Sequence, residues 1–196
     1  MMVVPIEIER RFRIVDEVAL PALGRGSKII QCYLPKWRIE IRENSLIFED
    51  GVLISNLPNA ASNGIQSLID GGDLTPRIRI KEGRGFVTVK GPTVDGGRIE
   101  WEFEVPHAQV LHLAESWRFP TVIKKRYEVL SEEGLVWEID FFDGDNAGLV
   151  LAEIELPNFN FEFKKPHWLG DEVTDDGRYG SGSLAREPWC DLREDV

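Results

Sequence analysis

The stretch Arg77-Ile78-Arg79-Ile80-Lys81, continuing through Phe86-Val87-Thr88-Val89-Lys90-Gly91, constrains the fold most. Charged and apolar residues alternate strictly in its first half. Successive side chains of a β-strand point to opposite faces, so Arg77, Arg79 and Lys81 share one face and Ile78 and Ile80 the other. Thr88 and Lys90 repeat the arrangement after a turn containing Gly83 and Gly85. The result is a hairpin that is apolar on one side and cationic on the other. Stacked cations repel one another unless an anion lies between them.

The same pattern recurs with acids added. Glu7-Ile8-Glu9-Arg10-Arg11-Phe12-Arg13 places Glu7, Glu9, Arg11 and Arg13 on one face. Residues 98–105 place Glu100, Glu102 and Glu104 opposite Ile99, Trp101, Phe103 and Val105. Lys124-Lys125-Arg126-Tyr127-Glu128-Val129, Trp137-Glu138-Ile139-Asp140-Phe141 and Ala152-Glu153-Ile154-Glu155-Leu156 follow. The large apolar residues, Trp101, Phe103, Trp137, Ile139 and Phe141, need burial. The charged faces then line a shared cavity. The pattern predicts a mainly β (α+β) protein: a closed antiparallel barrel with a polar lumen and an apolar outside covered by helices.

At 196 residues the chain is expected to be a single domain, residues 1–196. No apolar run is long enough to span a membrane and the start lacks a signal-peptide pattern, so a cytoplasmic protein is expected. Cys32 and Cys190 have no ligand-like spacing and read as free thiols. The formal charge of −11 excludes a general nucleic-acid surface. Cations interleaved with acids suit a small polyanion that arrives with a divalent metal.

In chain order, strands are expected at 6–14 and 29–34, with a helical turn from Asp16. Residues 37–42 alternate again, and 46–54 read as a hairpin. Residues 56–73, rich in Asn, Ser, Gly and Asp, read as a mobile loop. The hairpin 77–90 and the acidic strand 98–105 precede a helix after Pro106. Strands follow at 122–130, 135–142 and 149–156, then a helix near 161–165 and Gly-rich loops. His107, His112 and His167 read as surface or packing residues, and Tyr33 as a packed strand tyrosine.

The run Glu7-Ile8-Glu9-Arg10-Arg11 resembles the E-x-E-x-K signature of the CYTH family, the triphosphate tunnel metalloenzymes. Arg77-x-Arg79, Thr88-Val89-Lys90-Gly91, the Glu100/Glu102/Glu104 strand, Lys124-x-Arg126-Tyr127, Trp137-Glu138-Ile139-Asp140 and residues 152–156 follow in the family's order. The tail from Trp168 to Tyr179 resembles the C-terminal segment of bacterial members. The resemblance spans nearly the whole chain apart from residues 36–75. It implies an eight-stranded antiparallel tunnel with helices outside, in agreement with the alternation.

The resemblance also implies a divalent-metal-dependent hydrolase of tripolyphosphate substrates, most simply inorganic triphosphate. Adenylate cyclase, nucleoside or thiamine triphosphatase and a non-catalytic polyphosphate-binding module remain open. By resemblance, Glu7, Glu9, Glu153 and Glu155 hold Mg²⁺ or Mn²⁺, directly or through water. Arg11, Arg77, Arg79, Lys90, Lys124 and Arg126 clamp phosphate oxygens. Glu100, Glu102, Glu138 and Asp140 are catalytic-face acids that position water or a second metal. A purely structural role, acids and bases pairing with each other, is the competing reading of the same residues. Two departures stand out. Arg11 replaces the family lysine, exchanging a compact ammonium for a planar fork. Residues 36–75 lengthen the connection before Arg77 as an insertion relative to short bacterial members.

Overall fold

The structure is a computed structural model and describes residues 6–192 except 16, 95 and 96. The predicted turn at Asp16 therefore lies partly outside the described residues. In chain order the strands are β1 (Ile6–Arg13), β2 (Ser27–Tyr33), β3 (Ile39–Arg42), β4 (Ser45–Phe48) and β5 (Gly51–Ile54). Then come β6 (Thr75–Lys81), β7 (Arg84–Val94), β8 (Gly97–Val105), β9 (Thr121–Leu130), β10 (Val136–Asp143) and β11 (Val150–Glu155). The helices are α1 (Asn59–Gly71), α2 (His107–Ser116), α3 (Ser181–Leu184) and α4 (Trp189–Leu192). Eight strands close a barrel in the order β1-β11-β10-β9-β2-β6-β7-β8, and every pairing with a described register is antiparallel. The fold is the closed eight-stranded antiparallel barrel that the alternation predicts. Strands β3-β4-β5 form a separate sheet. Among the described residues no helix is long and apolar enough to cross a membrane.

Contacts divide the chain into two compact units. Of the described residues, the first holds Ile6, Glu7 and Gln31–Pro120. Its cationic hairpin turns at Glu82 (φ 50°) and Gly83 (φ 76°), with Lys81 opposite Arg84. Two successive positive φ values are what a tight hairpin matched to strand twist demands. Ile78, Val87 and Val89 are buried on the apolar face. Helix α1 packs there through small residues. A Cβ on Gly64 would come within 2.4 Å of the Trp101 ring, and one on Gly91 within 3.2 Å of Leu68. Helix α2 approaches β7 equally closely, since a Cβ on Gly85 would lie 2.8 Å from Val110.

Helix α1 corrects the reading of residues 56–73 as a mobile loop. Asn, Ser and Gly are weak helix formers. Yet Ala61, Ile65, Leu68 and Ile69 recur at helical spacing, and Ala61 and Ile65 are buried. The helix ends where Gly72 turns left-handed (φ 71°) and donates its N–H to Ile69 and Leu68 carbonyls. Burial of one stripe overrides the composition. The expected strand and hairpin at 37–54 are present as β3, β4 and β5.

The second unit holds Ile8–Ile30 and the chain from Thr121 onward. Phe12, Trp137, Ile139, Ala152 and Ile154 form its apolar core with Trp168. The Trp137 ring meets Phe12, Phe163 and Trp168 edge-on at 5.5–5.7 Å. No helix forms at 161–165, contrary to expectation. Phe163 packs on Phe12 and Trp137, Lys165 lies over the Phe12 ring, and Pro166 disfavours helical backbone at the residue before it. The Gly-rich end, expected as loops, instead forms α3 and α4. Tyr179, Leu184 and Trp189 cover Val122, Phe142 and Leu151 at one end of the unit's charged face. Asn146 ties this tail down, donating to the Leu184 carbonyl and accepting from the Trp189 N–H.

Candidate functional site

Each unit carries its own cluster of buried charges. In the second, neighbouring strands β1, β11, β10 and β9 present residues of one parity to the same face. Register places Arg11 opposite Glu153, Glu153 opposite Glu138, and Asp140 opposite Arg126. Arg126 is the hub. Its Nε lies 2.6 Å from Asp140 Oδ1, its Nη2 lies 3.0 Å from Glu153 Oε2, and its Nη1 bonds Glu138. Lys124 Nζ meets Asp140 Oδ2 at 2.5 Å. Arg11 joins Glu153 through Nε and Glu9 through Nη2, both at 2.6 Å.

Burial sets the electrostatics of this cluster. Lys124 and Asp140 side chains are 3% and 1% exposed, against 34% for Glu9 and 37% for Glu138. Desolvation pushes the Lys124 ammonium below its usual range, with the Arg126 charge adding to it against Asp140 and Glu153. Desolvation would raise the Glu153 carboxyl, but Arg11, Lys124 and Arg126 outweigh it and hold it well below the usual carboxylate range. The face thus keeps anionic acids and at least two permanent cations in a largely dry setting, where electrostatic forces are strong.

In the first unit, Lys90 Nζ bridges Glu7 Oε2 and Glu100 Oε2, each at 2.5 Å. Arg77 Nη2 lies 3.3 Å from Glu100, and Arg79 Nη2 lies 2.6 Å from Glu102. Thr88 donates to Glu102 at 2.8 Å. Desolvation would raise the Glu100 carboxyl, but Lys90 and Arg77 hold it down at about 2. The Arg77 guanidinium is raised: desolvation, which lowers it, is outweighed by Tyr33, Glu100 and Glu102. Arg77 Nε is buried without a hydrogen-bond partner among the described residues.

Nearly all the expected site residues fall into these clusters. Glu7, Arg77, Arg79, Lys90, Glu100 and Glu102 gather in the first unit. Glu9, Arg11, Lys124, Arg126, Glu138, Asp140 and Glu153 gather in the second. Glu155 is exposed at the end of β11, opposite Glu9, and lines a recess with Glu138, Leu135, Val136 and Leu156. Glu104 and Arg13 share the parity but not the clusters. Glu104 pairs with exposed Arg84, and Arg13 lies over the Tyr179 and Trp189 rings.

Among the described residues no three His, Cys, Asp or Glu side chains converge as a metal-binding group. The donor chemistry nonetheless suits Mg²⁺. That ion binds through one or two carboxylates plus substrate phosphates and keeps several waters, rather than sitting in an all-protein cage. Glu9 and Glu155, cross-strand neighbours with exposed or half-exposed oxygens, meet that requirement.

Three polar residues beside the clusters were not among the expected site residues. Gln31 is buried and donates to the Tyr33 hydroxyl at 2.7 Å, and Tyr33 acts electrostatically on Arg77. Their shared parity on β2, opposite Cys32 and Leu34, was the available signal. Thr88 is the third, flagged only by its position between Phe86 and Lys90.

No family model matches the chain. A curated inorganic triphosphatase of Acetivibrio thermocellus is 41% identical over 122 residues, spanning 62% of this chain and 78% of the relative. One from Nitrosomonas europaea is 33% identical over 113 residues, spanning 56% and 73%. A crystal structure of an inorganic triphosphatase superposes with a TM-score of 0.56 at 23% identity, over 94% of this chain and 95% of that one, and so shares the fold.

Proposed function

We propose that this chain, which belongs to the CYTH family of triphosphate tunnel metalloenzymes, hydrolyses inorganic triphosphate with a divalent cation. The carrying observation is the pairing of buried cations with carboxylates, above all at Arg77. Its Nε is a buried donor without a hydrogen-bond partner among the described residues, and an unmet buried donor costs about 1–3 kcal/mol. A phosphate oxygen satisfies it. Phosphate oxygens likewise compete with Glu100 and Glu102 for Arg77, Arg79 and Lys90, and with Glu9 and Glu153 for Arg11 and Arg126. Carboxylates released by that exchange are ionised oxygen donors.

Within the second unit, Glu9, Glu153 and Glu155 would hold Mg²⁺ or Mn²⁺, which would supply charge neutralisation and a more acidic water. The chain's own groups do the rest. Arg forks bind equatorial oxygens and neutralise charge spreading over the transferred phosphoryl group. Water adds to a terminal phosphorus, the bridging P–O bond breaks, and pyrophosphate leaves. Asp140 is enclosed by Lys124 and Arg126, so it orients those cations rather than meeting water. Glu100, held at about 2, is a counter-ion and a weak base. Of the four expected catalytic acids the more open are Glu138 in the second unit and Glu102 in the first, with 37% and 29% exposed side chains, and each would position water on its own face.

The contacts on these faces suit phosphate oxygens, and the rings of the same parity, Phe86 and Phe142, already lie under Arg79, Arg84 and Lys124 rather than open to stack a base. Inorganic triphosphate should therefore exceed ATP. Phosphate release from tripolyphosphate, ATP and thiamine triphosphate, with and without chelator, is the test. Equal kcat/KM for ATP, or cyclic AMP as product, would replace this reading with the nucleotide or cyclase one.

A further inference from the structure

Two sides of β1 need partners where it presents Arg11. Register with β11 places Arg11 opposite Glu153. The Arg11 N–H and C=O do not meet that strand. Both point the other way, the N–H donating to Thr174 Oγ1 at 3.0 Å and the C=O accepting from the Val173 N–H at 2.8 Å. Arg11 and Glu153 are therefore a non-hydrogen-bonded pair, the kind in which facing side chains come closest. That closeness is what lets Arg11 Nε reach Glu153 at 2.6 Å.

The tail serves the next position too. The Arg13 N–H donates to the Asp171 carbonyl and its C=O accepts from the Gly170 N–H, both at 2.8 Å. Residues 170–174 thus run along β1 and satisfy four backbone groups. At Arg11 the acceptor is a side chain, where a strand would supply a carbonyl. The Thr174 hydroxyl donates in turn to Glu172 Oε1 at 2.8 Å, and Glu172 pairs with Arg10 on β1. The buried Val173 side chain pins the segment to the tail's apolar core. A Cβ on Gly170 would approach the Arg13 carbonyl to 2.9 Å, so the strap fits closely.

We propose that residues 170–174 are a positioning strap for β1, with Thr174 as the positioning residue that sets the Arg11 backbone and so aims its guanidinium at a bound phosphate. The inference rests on the triphosphatase reading only for its assay. The hydrogen bonds of the Thr174 hydroxyl among the described residues go to the Arg11 backbone and to Glu172. Its effect therefore passes through Arg11.

A double-mutant cycle tests this. Thr174→Val keeps shape and removes the acceptor, and Thr174→Ser keeps the hydroxyl. Tripolyphosphate hydrolysis is measured for each in the wild-type and Arg11→Ala backgrounds, with melting temperatures in parallel. Thr174→Val is expected to lower kcat/KM about tenfold in the wild type and less than twofold in Arg11→Ala, with Thr174→Ser within twofold of wild type. An equal loss in both backgrounds, or a lowered melting temperature with unchanged kcat/KM, overturns the proposal. If the wild type hydrolyses no tripolyphosphate, the functional reading falls instead. The same cycle is then read on tripolyphosphate affinity by calorimetry in chelator, where additive effects, or none, reject the strap.

Discussion

Glu100→Gln isolates the charge coupling of the first unit. The Glu100 carboxyl sits at about 2 in the folded chain, against about 4.3 for an unperturbed glutamate. A difference of roughly 2 units corresponds to about 3 kcal/mol. The side chain is only 17% exposed, so solvent screening removes little of this. A carboxyl whose folded value is depressed contributes its stability above the unfolded value. That contribution is lost as pH falls through the folded one. Wild type should therefore exceed Glu100→Gln by about 3 kcal/mol at neutral pH, and the gap should close between about pH 4.5 and 2. Urea unfolding across that range, with the difference plotted against pH, is the assay. Groups remote from Glu100 titrate alike in both proteins and cancel, and making the comparison in a Glu7→Gln background removes the neighbour that shares Lys90 with it. A gap that stays constant from neutral to about pH 2 would refute the coupling of Glu100 to Lys90 and Arg77, as would its absence at neutral pH.

Other expectations follow from the same geometry. Arg79→Ala should lower kcat/KM by about 2–4 kcal/mol, the scale of a lost transition-state donor; wild-type kinetics would remove Arg79 from the site. Chelator should abolish tripolyphosphate hydrolysis and added Mg²⁺ or Mn²⁺ restore it, whereas full activity in chelator would end the metal reading. Gly64→Ala gains up to about 1 kcal/mol of helix propensity but drives a methyl into Trp101, a strain of about 1–3 kcal/mol, so calorimetry should show net destabilisation. A higher melting temperature would mean that Trp101 yields freely.

Alternation made the barrel legible because a period of two survives any tertiary context that buries one face. Trp137 and Ile139 are buried while Glu138 faces the charges, as their parity requires. Parity does not say where a cluster ends. Arg13 and Glu104 satisfy it yet sit at strand ends, where the tail's aromatic rings and Arg84 claim them. Helix α1 was hidden because its apolar stripe is diluted by Asn, Ser and Gly chosen for close packing, as Gly64 against Trp101 shows. The irregular path at 161–165 was illegible because its partners, Phe12 and Trp137, are distant in sequence.

Residues 36–75 leave and re-enter the barrel at one place. The Leu34 N–H donates to the Pro76 carbonyl at 3.0 Å, so the ends of the inserted stretch are held together. Between those ends the chain folds on its own turns, with Glu43 and Asn44 at positive φ reversing β3 into β4. Lengthening a segment whose ends are already joined costs only about 0.6 kcal/mol per doubling of loop length. Sequence added ahead of Asn44, at exposed Glu43, spares the bonds by which Asn44 holds Ser62 and Leu57 and leaves the strands carrying Arg77 and Lys90 in register. The joint is therefore a grafting point, where a lineage can acquire a new module, or an engineer a reporter, without rebuilding the charged faces.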